Sequence, residues 1–199
     1  LPILANVCLD LKQEAVTLIG TDLEVEISQE VAVAKVETTG SCTVMARKLL
    51  DICRALPEGS SISLSGQGAR LKLQSGRSRY TLQTLSAKEY PRIEPANWAT
   101  RIKLPAATLR RLFEKTAFSM AQQDVRYFLN GVLLEFSDQQ VVAVATDGHR
   151  LARTECAVEQ EAGAIQQAIV PRKAVLEMSR FLTGSDEKIT MEINPNHLR

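Results

Sequence analysis

The sequence predicts an α+β fold in which antiparallel sheet predominates and a single domain pattern occurs twice. Three observations carry that expectation. The run Val141 to Ala145 followed by Thr146-Asp147 echoes Val16 to Gly20 followed by Thr21-Asp22, at a spacing of 125 residues. Leu129 to Phe136 keep the same offset from Leu4 to Leu11, and Pro171-Arg172-Lys173 keep it from Ala46-Arg47-Lys48. A period this long suits a duplicated domain and not a solenoid. Apolar residues alternate with polar ones over most of both copies, which is strand periodicity, and the spacing changes to threes and fours at corresponding points, which is helical.

The elements follow in order. Val7, Leu9 and Leu11 alternate, Lys12-Gln13-Glu14 make a polar turn, and Val16 to Ile19 return, so the chain opens with a hairpin. Alternation resumes at Leu23, Val25 and Ile27 and continues through Val31, Val33 and Val36, which predicts an antiparallel meander. From Ala46 to Leu56, residues Leu49, Leu50, Ile52, Cys53 and Leu56 fall on one helix face, and Pro57-Glu58-Gly59 stop the helix. Strands are expected at Ser61 to Ser65, Arg70 to Gln74 and Arg79 to Leu85, and residues 86 to 100, with Pro91 and Pro95, read as a link. Leu104-Pro105 open the second copy, with Pro105 suited to a first helical turn. Leu109, Leu112, Phe113, Thr116 and Met120 then line one helix face. Strands at 128 to 136 and 141 to 146, a helix at Arg172 to Leu182 and a strand at Lys188 to Ile193 complete the copy.

With 199 residues, 45% of them hydrophobic, the chain can bury two ordinary cores, taken as residues 1–98 and 99–199. The first copy has only three residues before Leu4 where the second has a helix of about 15 residues, and nothing in the second matches the hairpin through Leu85. Both domains therefore read as incomplete, the first at its N-terminal side and the second at its C-terminal side, and the chain as an interior window of a longer protein. Net charge is +1, so any nucleic-acid role must rest on local charge placement. Four cysteines without Cys-x-x-Cys or Cys/His spacing, and two histidines, argue against a zinc site or disulfide scaffold and suit a cytoplasmic protein. No cofactor is implied. No apolar run approaches the roughly 20 residues of a membrane span.

Four stretches carry candidate chemistry. Arg47-Lys48 and Arg172-Lys173 begin helices, where the helix dipole disfavours cations by about 0.3 to 1 kcal/mol. A repeated misplacement suits an anion, since free helix-start amides plus two basic side chains make a phosphate site, with Arg54 and Arg180 extending the basic stripe. A merely solvated basic face is the alternative. Gln122-Gln123-Asp124-Val125-Arg126-Tyr127-Phe128 place amides, an arginine and two aromatics before a strand, so Arg126 could contact phosphate and an aromatic could stack on a base. Strand alternation lets at most one of the pair pack inward, so one is expected to be exposed or at an edge. Asp147-Gly148 is first a turn dipeptide, yet Gly148-His149-Arg150 has no counterpart after Thr21-Asp22 and is not required by the fold. His149 has no nearby nucleophile or second histidine. With Leu151 and Leu129 it suits an apolar patch with polar edges, the composition of a peptide groove. Arg70, Arg77 and Arg79 flank a turn beside Tyr80 and Leu82, an edge that is either solvated or paired with another subunit.

The blocks Gly20 to Glu24, Ala46 to Arg54, Ser75 to Tyr80, Ser119 to Gly131 and Thr146 to Leu151 closely resemble the β subunit of bacterial DNA polymerase III, the sliding-clamp family. The resemblance covers nearly the whole chain. It implies a three-domain subunit, paired head to tail into a homodimeric ring, with sheets outside and helices lining a channel around duplex DNA. The chain would hold most of two domains, with the third absent. The resemblance implies DNA contacts at Arg47, Gln123, Tyr127 and Phe128, and basic channel positions at Lys48, Arg54, Arg172, Lys173 and Arg180. It implies half of a partner-peptide groove at Leu129, Thr146, Gly148, His149, Arg150 and Leu151, and a subunit interface at Ile52, Arg70, Arg77, Arg79, Tyr80 and Leu82. Met45 departs from a proline common in the family. The function implied is a non-catalytic processivity factor that tethers the replicative polymerase, clamp loader and repair proteins through short apolar-ended peptides. Two other readings compete: a peptide-binding adaptor that does not encircle DNA, and a hydrolase using His149 with Asp147, which lacks a positioned nucleophile.

Overall fold

The computed structural model describes residues 1–93, 98, 100–137, 139–158, 166–182, 187–194 and 197–199. It forms two compact units, Leu1–Glu94 and Pro95–Arg199. The expected boundary between 98 and 99, and Pro95 of the expected link, involve residues outside that description.

In the first unit, strands β1 (Asn6–Leu11), β2 (Ala15–Thr21), β3 (Glu26–Ala32) and β4 (Gly40–Met45) precede helix α1 (Ala46–Ala55), and β5 (Ser63–Gln67), β6 (Arg70–Ser75) and β7 (Ser78–Leu85) follow it. They make one seven-stranded sheet in the order β3-β2-β1-β4-β7-β6-β5. The expected meander holds only through β3. The chain then returns to lay β4 against β1, because β1 offers its free edge and pairs Leu9 with Cys42. Leu23, Val25, Val33 and Val36 fall outside strands, and Leu23 has φ of 82° in the turn before β3.

The second unit has β8 (Thr100–Pro105), α2 (Ala106–Thr116), β9 (Gly131–Ser137), β10 (Gln140–Thr146), β11 (Leu151–Ala157), β12 (Gln166–Pro171), α3 (Arg172–Phe181) and β13 (Lys188–Ile193). Its sheets run β11-β10-β9-β12 and β13-β8. The first of these reproduces β3-β2-β1-β4 in register: Cys8 pairs with Ile19 as Leu133 pairs with Val144, and Thr21 with Glu26 as Thr146 with Leu151. At the next strand the offset becomes 126, since Asn6 faces Met45 while Gly131 faces Pro171. Strand β8 was hidden from sequence reading by Pro105, which closes the strand and caps α2 instead of lying in its first turn.

Both units bury the same sheet face, but to different depths. Val132, Leu134, Phe136, Val141 and Ala143 are fully buried beneath Leu109, Leu112 and Phe113 of α2. Their counterparts in the first unit are Val7, Leu9, Leu11, Val16 and Leu18, of which only Leu9 and Val16 count as buried. Helix α1 buries no residue completely. Leu49 and Ile52 touch the core, whereas Leu50 and Cys53, expected on the same face, are exposed. The opposite face of the first sheet holds a small core of Ile3, Cys8, Ile19 and Tyr90. Tyr90 belongs to the segment read as a link, but its hydroxyl donates to the Asn6 carbonyl at 3.0 Å and accepts from the Thr21 amide, tying that segment to β1 and β2.

Candidate functional site

The basic helix starts are built alike but not identically. Met45, Pro105 and Pro171 cap α1, α2 and α3 with φ near −60°, none supplies a side-chain cap, and no first turn carries an acidic residue. The first amides of α2 and α3 donate to the Glu187 and Asn130 carbonyls, and the amides that follow keep a positive end for an anion. The one-residue shift in offset puts Arg47 and Lys48 at the second and third helical positions and Arg172 and Lys173 at the first and second. The two pairs therefore sit about 100° apart around their helices, a difference from the equivalent placement expected. Arg47 reaches Asp51 at 3.2 Å in an exposed pair, and Arg180 reaches Glu177 at 2.7 Å. Pairs of this kind are worth about 0.3 to 0.5 kcal/mol, so a phosphate can displace them. Arg54 and Arg180 lie in last turns, where a cation suits the dipole.

Between α2 and β9 the chain closes a tight loop. The Asp124 amide donates to Asn130 Oδ1 and Asn130 Nδ2 donates to the Asp124 carbonyl, both at 2.9 Å. Buried Met120, Ala121 and Leu129 anchor its base, and the Ala121 amide donates to the Leu129 carbonyl. Gln123 takes φ of 59°. Tyr127, Phe128 and Leu129 form one turn of 3-10 helix where a strand was expected. A three-residue turn does not alternate its side chains across a sheet, so Tyr127 and Phe128 are both exposed, at 83% and 51%, with their rings edge to face. Val125 beside them is 96% exposed. Asn130 also accepts, through its carbonyl, the Arg172 amide that begins α3. The loop is thus fastened to a basic helix start.

Arg126 is oriented differently from the expectation of a phosphate contact. Its amide and Nε donate to Asp124 Oδ1 at 2.8 and 3.0 Å, and Nη2 donates to Oδ2 at 2.8 Å. These bonds hold the Asp124 carboxyl down at about 2, the Arg126 side-chain bonds being the largest cause. The guanidinium lies over the Thr146 to Arg150 turn, where a Cβ on Gly148 would stand 3.3 Å from Nη2.

That turn is held by its own side chains. Asp147 Oδ1 accepts the His149 and Arg150 amides at 3.0 Å each, and Thr146 Oγ1 accepts the Gly148 amide and donates to the Arg150 carbonyl. The two amides depress the Asp147 carboxyl below its ordinary range. Gly148 has φ of 89°, which favours glycine. The Arg150 guanidinium bonds Asp147 and lies 5.9 Å from the Phe118 ring centroid. Residues 148 to 151 are all exposed, Leu151 at 65%. Leu129 is 8% exposed, so it supports the loop from within and offers little surface.

The β6–β7 candidates separate. Arg70, Arg77 and Arg79 are exposed and Tyr80 is half-buried, but Leu82 is a core residue and Ile52 packs against the same core. Tyr80 and Leu82 share the inward face because strand side chains repeat every second residue. Strand β7 is also internal to the sheet, and the edge on that side is β5, whose five residues are all exposed. Among the described residues no group of three or more His, Cys, Asp or Glu is disposed to hold a metal, and no helix is long and apolar enough to cross a membrane. Sequence reasoning gave no role to Asp124, Asn130, Phe118 or Tyr90. Only the Asp-x-Arg spacing hinted at the first.

Residues 1–94 match the family described as DNA polymerase III beta subunit, N-terminal domain, and residues 103–199 match its central domain. The beta sliding clamp of Escherichia coli strain K12 is 44% identical over 199 residues, covering all of this chain and 54% of that protein. A crystal structure of the DNA polymerase III subunit beta from Pseudomonas aeruginosa superposes with a TM-score of 0.96 at 42% identity, covering 100% of this chain and 55% of that one. A sliding clamp from Bartonella birtlesii bound to griselimycin gives 0.91 at 34% identity, covering 100% and 54%. The chain spans about half the length of the curated relatives it matches.

Proposed function

The chain belongs to the DNA polymerase III β subunit family, carrying its N-terminal and central domains, and from that premise we propose that it serves a sliding clamp as part of a non-catalytic ring around duplex DNA. The observation that carries the reading is the recurrence in both units of basic helix starts without a side-chain cap, beside the exposed Gln123, Tyr127 and Phe128 in the second. A ring that slides needs diffuse phosphate contacts and no base readout. Exposed arginines held only by weak ion pairs provide such contacts, and a net charge of +1 is compatible with them because the basic residues are placed locally. In this reading Arg47, Lys48, Arg54, Arg172, Lys173 and Arg180 face the DNA in a head-to-tail homodimer of the full-length protein. The Gly148 to Leu151 surface is the chain's share of the groove that docks polymerase, clamp-loader and repair peptides, and Arg70, Arg77, Arg79 and Tyr80 approach the neighbouring subunit. The work is cytoplasmic.

The test is retention on DNA by the full-length protein. After loading onto nicked circular plasmid, it stays bound through gel filtration and is lost when the plasmid is linearised. Replacing Arg47 and Arg172 by alanine shortens retention and lowers the salt dependence by roughly one unit of slope per phosphate contact removed. Retention indifferent to linearisation would leave the peptide-binding adaptor as the better account.

A further inference from the structure

We propose that Asp124 is a positioning residue for partner binding, holding the Arg126 guanidinium against Gly148 so that it forms a fixed polar wall of the Thr146 to Leu151 surface. This rests on the reading of that surface as part of a peptide groove. The geometry has three parts. Asp124 takes Nε and Nη2 of Arg126 on its two carboxylate oxygens and the Arg126 amide on one of them, which fixes both ends of the side chain. Asp124 is itself held from behind by the reciprocal pair with Asn130, whose carbonyl accepts the first amide of α3. The guanidinium then fills the space that any side chain at 148 would claim, with Nη2, Nη1 and Cζ at 3.3, 3.6 and 3.9 Å from an ideal Cβ there.

The first unit supplies a built-in contrast. Its equivalent turn has Leu23 at the position of Gly148, with a similar positive φ and the same three amide bonds to the Thr and Asp side chains, but with a Cβ where the second unit has none. Glycine at 148 is thus matched to the arginine as well as to the backbone angle. Nη1 carries no bond to Asp124 and is the part of the fork left to meet a peptide carbonyl or carboxylate. Half of the side chain's surface remains exposed, at 53%, so it can be reached. Pairing with Asp124 also cancels much of the long-range charge that a phosphate contact would use.

The experiment uses the full-length protein and a fluorescein-labelled hexapeptide ending in Leu-Phe, with affinity read by anisotropy. Asp124→Asn keeps the shape but breaks the charged fork, and weakens binding roughly five- to tenfold, as expected for loss of a charge-assisted bond. Arg126→Ala weakens binding by a similar factor. Adding Asp124→Asn to Arg126→Ala then costs less than about twofold, because Asp124 acts only through Arg126. A merely structural role would carry the full Asp124→Asn loss into the Arg126→Ala background, and that result overturns the proposal. So does the converse pattern, in which Asp124→Asn leaves peptide affinity within twofold but lengthens retention on DNA, showing that the freed arginine serves phosphate. If the unaltered protein does not bind the peptide, the groove reading fails and this proposal with it; equal binding by the unaltered protein and Asp124→Asn fells this proposal alone.

Discussion

The same strand pattern is sealed in one unit and half open in the other, and the difference isolates what a single helix contributes. Strands β1 and β9, β2 and β10, and β3 and β11 share register residue for residue. Yet Phe136 is fully buried while its counterpart Leu11 is not, and Ala143 is fully buried while the larger Leu18 is not. Side-chain size does not explain this. Helix α2 lies over β10 and β11 and against α3, placing Leu112 and Phe113 on the sheet, and among the described residues no helix does this in the first unit. Pairing register is therefore a property of the strands, whereas burial is a property of what covers them.

The comparison can be broken in order of effect. Phe113→Ala removes the centre of the seal and should cost about 3 to 5 kcal/mol, whereas Leu49→Ala in half-buried α1 should cost about 1 kcal/mol. Urea titration followed by the fluorescence of Trp98, the only tryptophan, reports on the second unit, and circular dichroism followed in the same titration adds the first. Equal losses for the two substitutions would show that α1 seals as well as α2. Tyr90→Phe should cost the first unit about 1 to 3 kcal/mol, because it leaves the Asn6 carbonyl and the Thr21 amide without their partner. Circular dichroism melting should show this while the Trp98 transition stays in place. Exchanging the residues at positive φ should act with opposite signs: Leu23→Gly raises the melting temperature and Gly148→Leu lowers it, each by about 1 kcal/mol of backbone strain. A stabilising Gly148→Leu would remove the argument for conformational matching there.

Met45→Pro sharpens the match between caps. The position has φ of −58°, as Pro171 does, and follows an extended residue, so proline should stabilise by about 0.4 to 1 kcal/mol through the unfolded chain. A lower midpoint in denaturant would mean that the Met45 amide is needed in β4. The smallest effect is on pH. With its carboxyl at about 2 against an ordinary 3.8, Asp124 contributes stability that is complete above pH 4 and lost as pH falls toward 2. Carbon-13 titration of that carboxyl checks it, and a midpoint near 3.8 would mean that the Arg126 fork is not formed in solution.

Much of this was legible along the chain. Alternation at Val7, Leu9 and Leu11 and its echo at Val132, Leu134 and Phe136 is local information, since a strand's facing is set every second residue. The Asp-based turns at 22 and 147 were equally readable, because each closes within four residues. The same holds for the basic pairs at the helix starts. The seal was not. Leu50 and Cys53 lie on the apolar arc of α1 by spacing, but spacing does not say how wide a strip the sheet covers, and they remain exposed. Tyr127 and Phe128 looked like a pair split by a strand. They instead share one 3-10 turn, because Asn130 reaches back to Asp124 and ends the loop before the strand begins.

By itself the sequence determined the duplication, the hairpin that opens each repeat, the basic pairs near two helix starts and the exposed turn at Gly148. Each depends on neighbours within a few residues or on a repeated pattern. Tertiary structure alone decided that Arg126 belongs to Asp124 and lies over Gly148, that Leu82 faces a core, and that Tyr90 fastens a would-be linker to β1 and β2. The reason is that these partners meet only after a loop has closed or a sheet has assembled. Which of several compatible side chains a donor finds there depends on distance in space, which local periodicity does not encode.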